Sequence, residues 1–140
     1  MRVALRKSVN PAVQRREQML SARTRSAPLR RAFPDLGQLR IELTFSDLGA
    51  HTPSPQLHTL FPAAPAFFRF VCPCADCDAD FDLTSAVTNL LADVPGRKRT
   101  AASVNGQLSC HGIRLRDRAG SKACTMRLDF KLISAPRHTD

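Results

Sequence analysis

The second half of this chain contains five cysteines, and they constrain its fold more than any other feature. They are Cys72, Cys74, Cys77, Cys110 and Cys124. A chain of 140 residues has room for one domain with a modest core, so a bound metal would add substantially to its stability. The cysteine count is odd, and the first thirty residues lack the apolar segment of a secretory signal. We therefore expect a cytoplasmic protein whose cysteines are metal ligands or free thiols, and no disulfide framework.

The spacing of the cysteines predicts one tetrahedral zinc ion. Zinc takes four ligands, and proteins commonly present them as two pairs, each on a tight turn or a hairpin. In the first pair, within residues 72–77, either Cys72 or Cys74 can join Cys77, and Cys72 is favoured because it begins the turn directly after an apolar segment. The second pair is separated by thirteen residues, which suits the two strands of a long-looped hairpin. The predicted ligands are Cys72, Cys77, Cys110 and Cys124, with Cys74 as the alternative ligand.

This arrangement resembles a zinc ribbon, in which a Cys-Pro-containing knuckle and a second cysteine pair on a β-hairpin share one zinc ion. The resemblance covers roughly residues 66–132 and concerns the type of metal site. The second pair departs from the close Cys-x-x-Cys spacing of that family. His111 lies next to Cys110 and points the other way on an extended strand, so we expect it to be a surface residue.

Hydrophobic alternation predicts most of the strands. Apolar and polar residues alternate over residues 39–45 and again over residues 124–132, which indicates two half-buried strands. Two further strands are expected, one in the phenylalanine-rich residues 67–71 and one in residues 107–111, which carry Cys110. Residues 49–65 contain four prolines and are expected to form an extended surface loop.

One helix is predicted between these strands. Its apolar residues occur at steps of three and four, with Asp82 as the N-cap and Pro95 and Gly96 beyond its end. They are Leu83, Ala86, Val87, Leu90, Leu91 and Val94. The order ββαββ predicts an α+β domain, in which a mostly antiparallel sheet of about four strands is covered by one helix and stapled by zinc.

The positive charge is concentrated at the N-terminus. The whole chain has a net charge of +9. Residues 1–33 contain nine Lys or Arg and one acid, Glu17, whereas residues 34–140 contain twelve Lys or Arg against eleven Asp or Glu. With few large apolar residues, residues 1–33 are predicted to be a basic disordered tail. A single zinc-stabilised domain is predicted over residues 34–135, followed by a short C-terminal tail over residues 136–140.

Two functions follow from these features. The first is a structural-zinc module that binds nucleic acid through its tail and basic loops, although the chain has no Trp or Tyr to stack on bases. The candidate contact residues are Arg97, Lys98, Arg99, Arg114, Arg116, Arg118 and Lys122. The second is a zinc-stabilised protein–protein interaction domain, which would use the proline-rich loop and one sheet face. No stretch approaches the roughly 20 apolar residues of a membrane span.

Enzymatic activity is not predicted. Pro73-Cys74-x-x-Cys77 matches half of the zinc deaminase signature, but neither Glu17 nor Glu42 lies two residues after a His or Cys. Four thiolates would also close the coordination shell of zinc against a substrate. A further alternative is a thiol redox protein that uses Cys74 and Cys77, because a Cys-x-x-Cys between a strand and a helix is typical of such sites.

Overall fold

The computed structural model describes residues 11–47, 54–74, 77, 79–92, 102–116 and 120–137. Within these ranges the helices are α1 (Pro11–Arg25), α2 (Leu29–Ala32) and α3 (Thr84–Leu91). The strands are β1 (Leu36–Asp47), β2 (Ser54–Leu60), β3 (Arg69–Val71), β4 (Asp80–Asp82), β5 (Ala102–Ser109), β6 (Ile113–Arg116), β7 (Gly120–Ala123) and β8 (Met126–Pro136).

The main sheet is antiparallel and has the strand order β2-β1-β8-β5. The predicted alternation in β1 is confirmed, because the side chains of Leu39, Ile41, Leu43 and Phe45 are at most 2% exposed. In β8, Leu128 and Leu132 are completely buried on the same face. β5 pairs antiparallel with β8, as the predicted long-looped hairpin requires, but it covers Ala102–Ser109 and ends before Cys110, whereas a strand over residues 107–111 was expected. The α+β class and the four-stranded antiparallel sheet are therefore as expected.

The order of the strands differs from the predicted ββαββ. β3 does not join the main sheet and instead pairs with the short strand β4, with Phe70 opposite Phe81. The chain folds back tightly after β3, since the Cys72 amide donates a hydrogen bond of 3.0 Å to the Ala79 carbonyl. Strand periodicity gives no signal over only three residues, which explains why β4 was not predicted. The long loop predicted between Cys110 and Cys124 likewise contains a hairpin, β6–β7.

The prediction of a surface loop over residues 49–65 is wrong for residues 54–60. These residues form β2, which pairs along its length with β1 and places Pro55 opposite Thr44. β2 lies at one edge of the sheet, where a strand needs hydrogen bonds on one side only. The position of the strand thus explains why proline is compatible with it.

The predicted helix is present but shorter and starts differently. α3 packs on β8 and β5, with Val87 fully buried. Leu83, rather than Asp82, occupies the N-cap position. The Asp82 carboxylate still accepts a hydrogen bond of 2.9 Å from the Thr84 amide, so it satisfies one of the free donors of the first turn. Residues 93–101, which include the predicted end of the helix, lie outside the described residues.

The prediction of a disordered tail over residues 1–33 is wrong for Pro11–Arg25 and Leu29–Ala32, which form α1 and α2. Met19 of α1 is 5% exposed, and Leu29 of α2 is completely buried. The Leu29 amide also donates a hydrogen bond of 2.7 Å to the Ala64 carbonyl. These two helices are ordered by a few contacts with the rest of the chain. Such contacts leave no sustained hydrophobic periodicity in the sequence.

Asp80 of β4 anchors α1 to the domain. Its carboxylate forms ion pairs with Arg15 of α1 at 2.5 Å and with Arg69 of β3 at 2.9 Å. Burial raises the pKa of Asp80, but the hydrogen bonds and positive charges of the two arginines outweigh burial and hold the pKa below its ordinary value. The side chain of Asp80 is only 10% exposed. Because both arginines pair with it, its loss would leave Arg15 and Arg69 without their shared acceptor.

We predict that Asp80→Asn lowers the free energy of unfolding by about 1–2 kcal/mol, since two charged hydrogen bonds are weakened and both arginines are partly exposed to solvent. Limited proteolysis should then cleave α1 faster than in the wild-type protein. Asp129→Asn is the control, because Asp129 forms a more exposed ion pair of 3.8 Å with Arg127. An equal loss in both variants would contradict the anchoring role of Asp80.

The stabilisation by Asp80 should depend on pH in one direction. A carboxyl group whose pKa is lowered by folding contributes stability above its unfolded pKa of about 4, and this contribution is lost as the pH falls through the folded pKa. The stability difference between the wild-type protein and Asp80→Asn should therefore be constant from about pH 5 to pH 8 and shrink below about pH 4. Urea unfolding across this range measures the difference.

Candidate metal centre

Four cysteines reach one point from two parts of the fold. Cys72 directly follows β3, and Cys77 lies in the turn that leads to β4. Cys110 directly follows β5, and its amide donates a hydrogen bond of 2.9 Å to the Met126 carbonyl, which continues the β5–β8 ladder. Cys124 lies between β7 and β8. The β3–β4 ribbon therefore supplies one pair of thiols, and the end of the β5–β8 pair supplies the other.

The sulfur atoms have the spacing of a tetrahedral metal site. All four Sγ atoms lie within 4.8 Å of one another. Cys72 Sγ lies 3.7 Å from Cys124 Sγ, and Cys77 Sγ lies 3.5 Å from Cys110 Sγ. With a zinc–sulfur bond of about 2.3 Å, neighbouring sulfurs of a regular tetrahedron are separated by about 3.8 Å. The cluster is thus close to the size that one such ion requires.

Burial makes this cluster unfavourable for charged thiols in the absence of a cation. The exposed fractions are 1% for Cys72, 3% for Cys77, and 7% for both Cys110 and Cys124. Burial raises the pKa of Cys72 and raises the pKa of Cys110 to about 12. Repulsion from the other three cysteines of the cluster adds to the increase in the pKa of Cys72. Hydrogen bonds with Cys77 and Cys124, followed by repulsion from Cys124, add to the increase in the pKa of Cys110. A divalent cation reverses this preference, because it stabilises the thiolates that bind it.

Gly112 supports the cluster and was not identified from the sequence. Its amide donates a hydrogen bond of 3.3 Å to Cys110 Sγ, and its carbonyl accepts one of 3.0 Å from the Cys124 amide. A Cβ atom at this position would lie only 2.7 Å from Cys77 Sγ and 2.5 Å from the Ala79 Cβ. A glycine two residues after Cys110 is a signal that could have pointed to a tight turn around a metal ligand.

The four cysteines that converge are the four that the sequence favoured as ligands, and their binding of a metal stays a prediction. Cys74, the alternative ligand, is half-buried and is not part of the four-sulfur cluster. Its carbonyl closes the turn by accepting a hydrogen bond of 3.2 Å from the Cys77 amide, and it also accepts one of 3.1 Å from Arg16 of α1. His111 is exposed.

The predicted nucleic-acid residues are only partly covered by the structure. Arg114 and Arg116 lie on β6 and Lys122 lies on β7, where the backbone alone is described. The remaining candidates fall outside the described residues, and they are Arg97, Lys98, Arg99 and Arg118. The single basic edge that these loops were expected to form therefore stays a prediction.

Comparisons with protein families, with curated proteins and with solved structures found no match to this chain.

None of the helices in the described part of the chain is both long enough and apolar enough to span a membrane. Function must therefore be inferred from the chemistry of the sites.

We predict that Gly112→Ala weakens metal binding by about 10- to 100-fold, the usual cost of disturbing a group that supports a metal ligand. The added methyl group would displace Cys77 Sγ, which would lengthen one side of the tetrahedron. Competition with a chromophoric chelator measures the affinity. His111→Ala is the control and should bind metal as the wild-type protein does. Equal affinities of Gly112→Ala and the wild-type protein would contradict the supporting role of Gly112.

Proposed function

We propose that this chain is a structural-zinc module, in which Cys72, Cys77, Cys110 and Cys124 bind one zinc ion. The observation that carries this proposal is the cluster of four buried Sγ atoms at tetrahedral spacing. Four thiolate ligands are typical of structural zinc sites, whereas catalytic zinc keeps one position open for water or substrate. A fully thiolate shell thus supports a structural role and no catalysis at the metal.

The metal would join two parts of the domain that have no strand pairing with each other in the described residues. The β3–β4 ribbon is a separate two-stranded sheet, and β5 and β8 belong to the main sheet. Structural zinc contributes on the order of 10 kcal/mol to the folding of small domains, which is comparable with the whole net stability of a typical domain. The chain without metal should therefore lose the packing of the ribbon on the sheet.

A redox function for Cys74 and Cys77 has less support. Cys77 Sγ lies beside Cys110 Sγ, and Cys74 is not part of the cluster. Moreover, β4 separates Cys77 from α3, which begins only at Thr84. The positive end of the helix dipole, which lowers the thiol pKa in redox sites of this type, therefore does not directly follow Cys77.

We predict that the protein purified under reducing conditions contains one zinc ion per chain. Ser substitution of Cys72, Cys77, Cys110 or Cys124 should lower the zinc affinity by more than the roughly 100-fold that loss of a supporting group costs. Cys74→Ser is the matched control and should retain the metal. Elemental analysis gives the stoichiometry, and near-ultraviolet circular dichroism follows the loss of packing after chelation.

Thiol titration distinguishes zinc from disulfide chemistry in the same samples. A zinc site protects four thiols until a chelator releases the metal, and all four then react. Two disulfides, Cys72–Cys124 and Cys77–Cys110, would stay unreactive with chelator and would react only after reduction. A protein without metal, or one that loses metal in the Cys74→Ser variant but not in the Cys72→Ser variant, would refute the proposed ligand set.

A second function, nucleic-acid binding, is favoured by the arginines of α1 and α2. Arg23, Arg25, Arg30 and Arg31 are all exposed. The Arg30 amide donates a hydrogen bond of 2.9 Å to the Pro62 carbonyl, which places α2 beside Phe61. Phe61 is 56% exposed, and an exposed aromatic ring next to cations is a typical contact for single-stranded nucleic acid. We name Arg30, Arg31 and Phe61 the arginine surface.

We predict that Arg30→Ala/Arg31→Ala weakens binding to a poly(dT) oligonucleotide and reduces the slope of log affinity against log salt by about 1.4, or about 0.7 for each phosphate contact. Phe61→Ala should weaken binding by about 5- to 100-fold with an unchanged slope, because stacking is not ionic. Fluorescence anisotropy measures both. Arg127→Ala/Lys131→Ala removes the same charge from two exposed positions on β8. An equal effect of this control would show that binding reflects net charge and not the arginine surface.

The remaining alternative is a zinc-stabilised protein–protein interaction domain that uses the proline-rich segment and a face of the sheet. β2 contains part of that segment, and Leu57 of β2 is 55% exposed. Isolation of a stoichiometric partner that resists nuclease treatment would support this alternative over nucleic-acid binding. A cytoplasmic location stays a prediction, and it agrees with the requirement of a thiolate site for reduced cysteines.

A further inference from the structure

In the described part of the chain, β5 is an edge strand whose own sequence carries none of the features that usually prevent pairing with another chain. It is last in the order of the main sheet, and within the described residues only β8 pairs with it. Its eight residues, Ala-Ser-Val-Asn-Gly-Gln-Leu-Ser, contain no charged residue and no proline. Soluble proteins normally protect edge strands with lysine, proline, a bulge or short length. The opposite edge, β2, does contain a proline, Pro55.

An apolar gap continues along the same edge. Val104 pairs in register with the fully buried Leu132, so it belongs to the face of the sheet that carries the core. It is nevertheless 38% exposed. A cavity of about 390 Å³ lies between α3 and β5. Its lining is mostly apolar, with Ala86, Leu90, Ala102 and Val104, and includes the polar residues Asn89 and Ser103. The core is thus incompletely covered at the strand whose outer side has no partner in the described part of the chain.

The sequence of β5 is a chemical palindrome centred on Gly106. On either side of Gly106 come an amide residue, then an aliphatic residue, then a serine. The three symmetric pairs are Asn105 and Gln107, Val104 and Leu108, and Ser103 and Ser109. Two copies of such a strand, related by a two-fold axis perpendicular to the sheet, can pair with like chemistry at every position.

We propose that β5 is a homodimerisation strand, which pairs antiparallel with β5 of a second copy of this chain around a two-fold axis at Gly106. This register places Val104 opposite Leu108 of the other copy on the core face, and Asn105 opposite Gln107 on the outer face. The two main sheets form one continuous eight-stranded sheet, and the apolar gaps of the two copies lie on the same face beside the axis. β5 ends directly before Cys110, but its outer edge takes no part in the four-sulfur cluster, and the proposal does not rest on the proposed function.

Charge and local geometry favour a second copy over another partner. β5 contains no charged residue, and residues 34–140, which include it, carry twelve Lys or Arg against eleven Asp or Glu, so self-pairing through β5 brings no like charges directly together. The Phe130 ring covers Gly106 on the core face, since a Cβ at Gly106 would lie 2.3 Å from its Cζ atom. The glycine at the centre of the palindrome therefore lets the ring lie across the strand close to the axis.

Two opposite charge variants test this register in the full chain. In Asn105→Asp/Gln107→Lys, each new acid would face the new lysine of the other copy across the axis, and dimerisation should strengthen by about 3-fold or more. Within one copy these changes are also compatible with β8, where Asn105 lies opposite Lys131 and Gln107 lies opposite Asp129. In Asn105→Lys/Gln107→Lys, lysines would face lysines, and dimerisation should weaken by at least about 10-fold.

Sedimentation equilibrium from about 1 to 100 µM gives the dissociation constant of each variant. Gln56→Lys/Thr59→Lys is the control, because it adds the same charge to exposed positions of the opposite edge strand, β2, and should leave the dimer intact. A wild-type chain that is monomeric throughout this range would overturn the proposal. A dimer whose dissociation constant is the same in both charge variants would also overturn the proposal, because it would show that the chains pair through a surface other than β5. If the double-lysine variant fails to fold, the acid–lysine variant alone decides, since an unchanged dissociation constant would refute the register.

Discussion

The convergence of four buried thiols is the constraint on which the rest of this structure depends. Cys72 and Cys77 come from a small ribbon, whereas Cys110 and Cys124 come from the end of a strand pair in the main sheet. Because burial raises the pKa of Cys72 and of Cys110, the interior favours either four neutral groups or four thiolates around a cation. The Sγ–Sγ distances of 3.5 and 3.7 Å fit four thiolates around a cation. In that state, bonds from the sulfurs to one ion would replace the direct packing of the thiols on one another.

The position of the N-terminal helix follows from that of the ribbon. Arg15 reaches Asp80 at one end of the ribbon, and Arg16 donates to the Cys74 carbonyl in the turn that holds the ligands. Through these two contacts, an arginine-rich segment that could not fold alone is held against the domain. The four-cysteine cluster, the ribbon and α1 are thus held together, and this determines where Arg23 and Arg25 of α1 lie. α2 is held separately, by the hydrogen bonds of its backbone amides to the Ala64 and Pro62 carbonyls.

Local patterns in the sequence predicted some parts well. The alternation in β1 and the cysteine spacing are strong signals, because a half-buried strand and a tetrahedral site each demand particular residues at particular intervals. The contribution of Asp80 gave no such signal, and Gly112 gave only the weak one of a glycine two residues after Cys110. Gly112 is required only because Cys77 and Ala79 approach it from another part of the chain, and Asp80 matters only because α1 docks beside it.

The sequence by itself determined the α+β class, the central strands and the set of four cysteines most suited to share a metal. The tertiary structure decided that β3 lies outside the main sheet and forms a ribbon with β4, that the proline-containing β2 forms an edge of the main sheet, and that Pro11–Arg25 and Leu29–Ala32 are helical. The physical reason is the range of the interactions. Periodicity and ligand spacing act between residues near in sequence, whereas strand partners and helix docking depend on surfaces that exist only once distant segments have packed together.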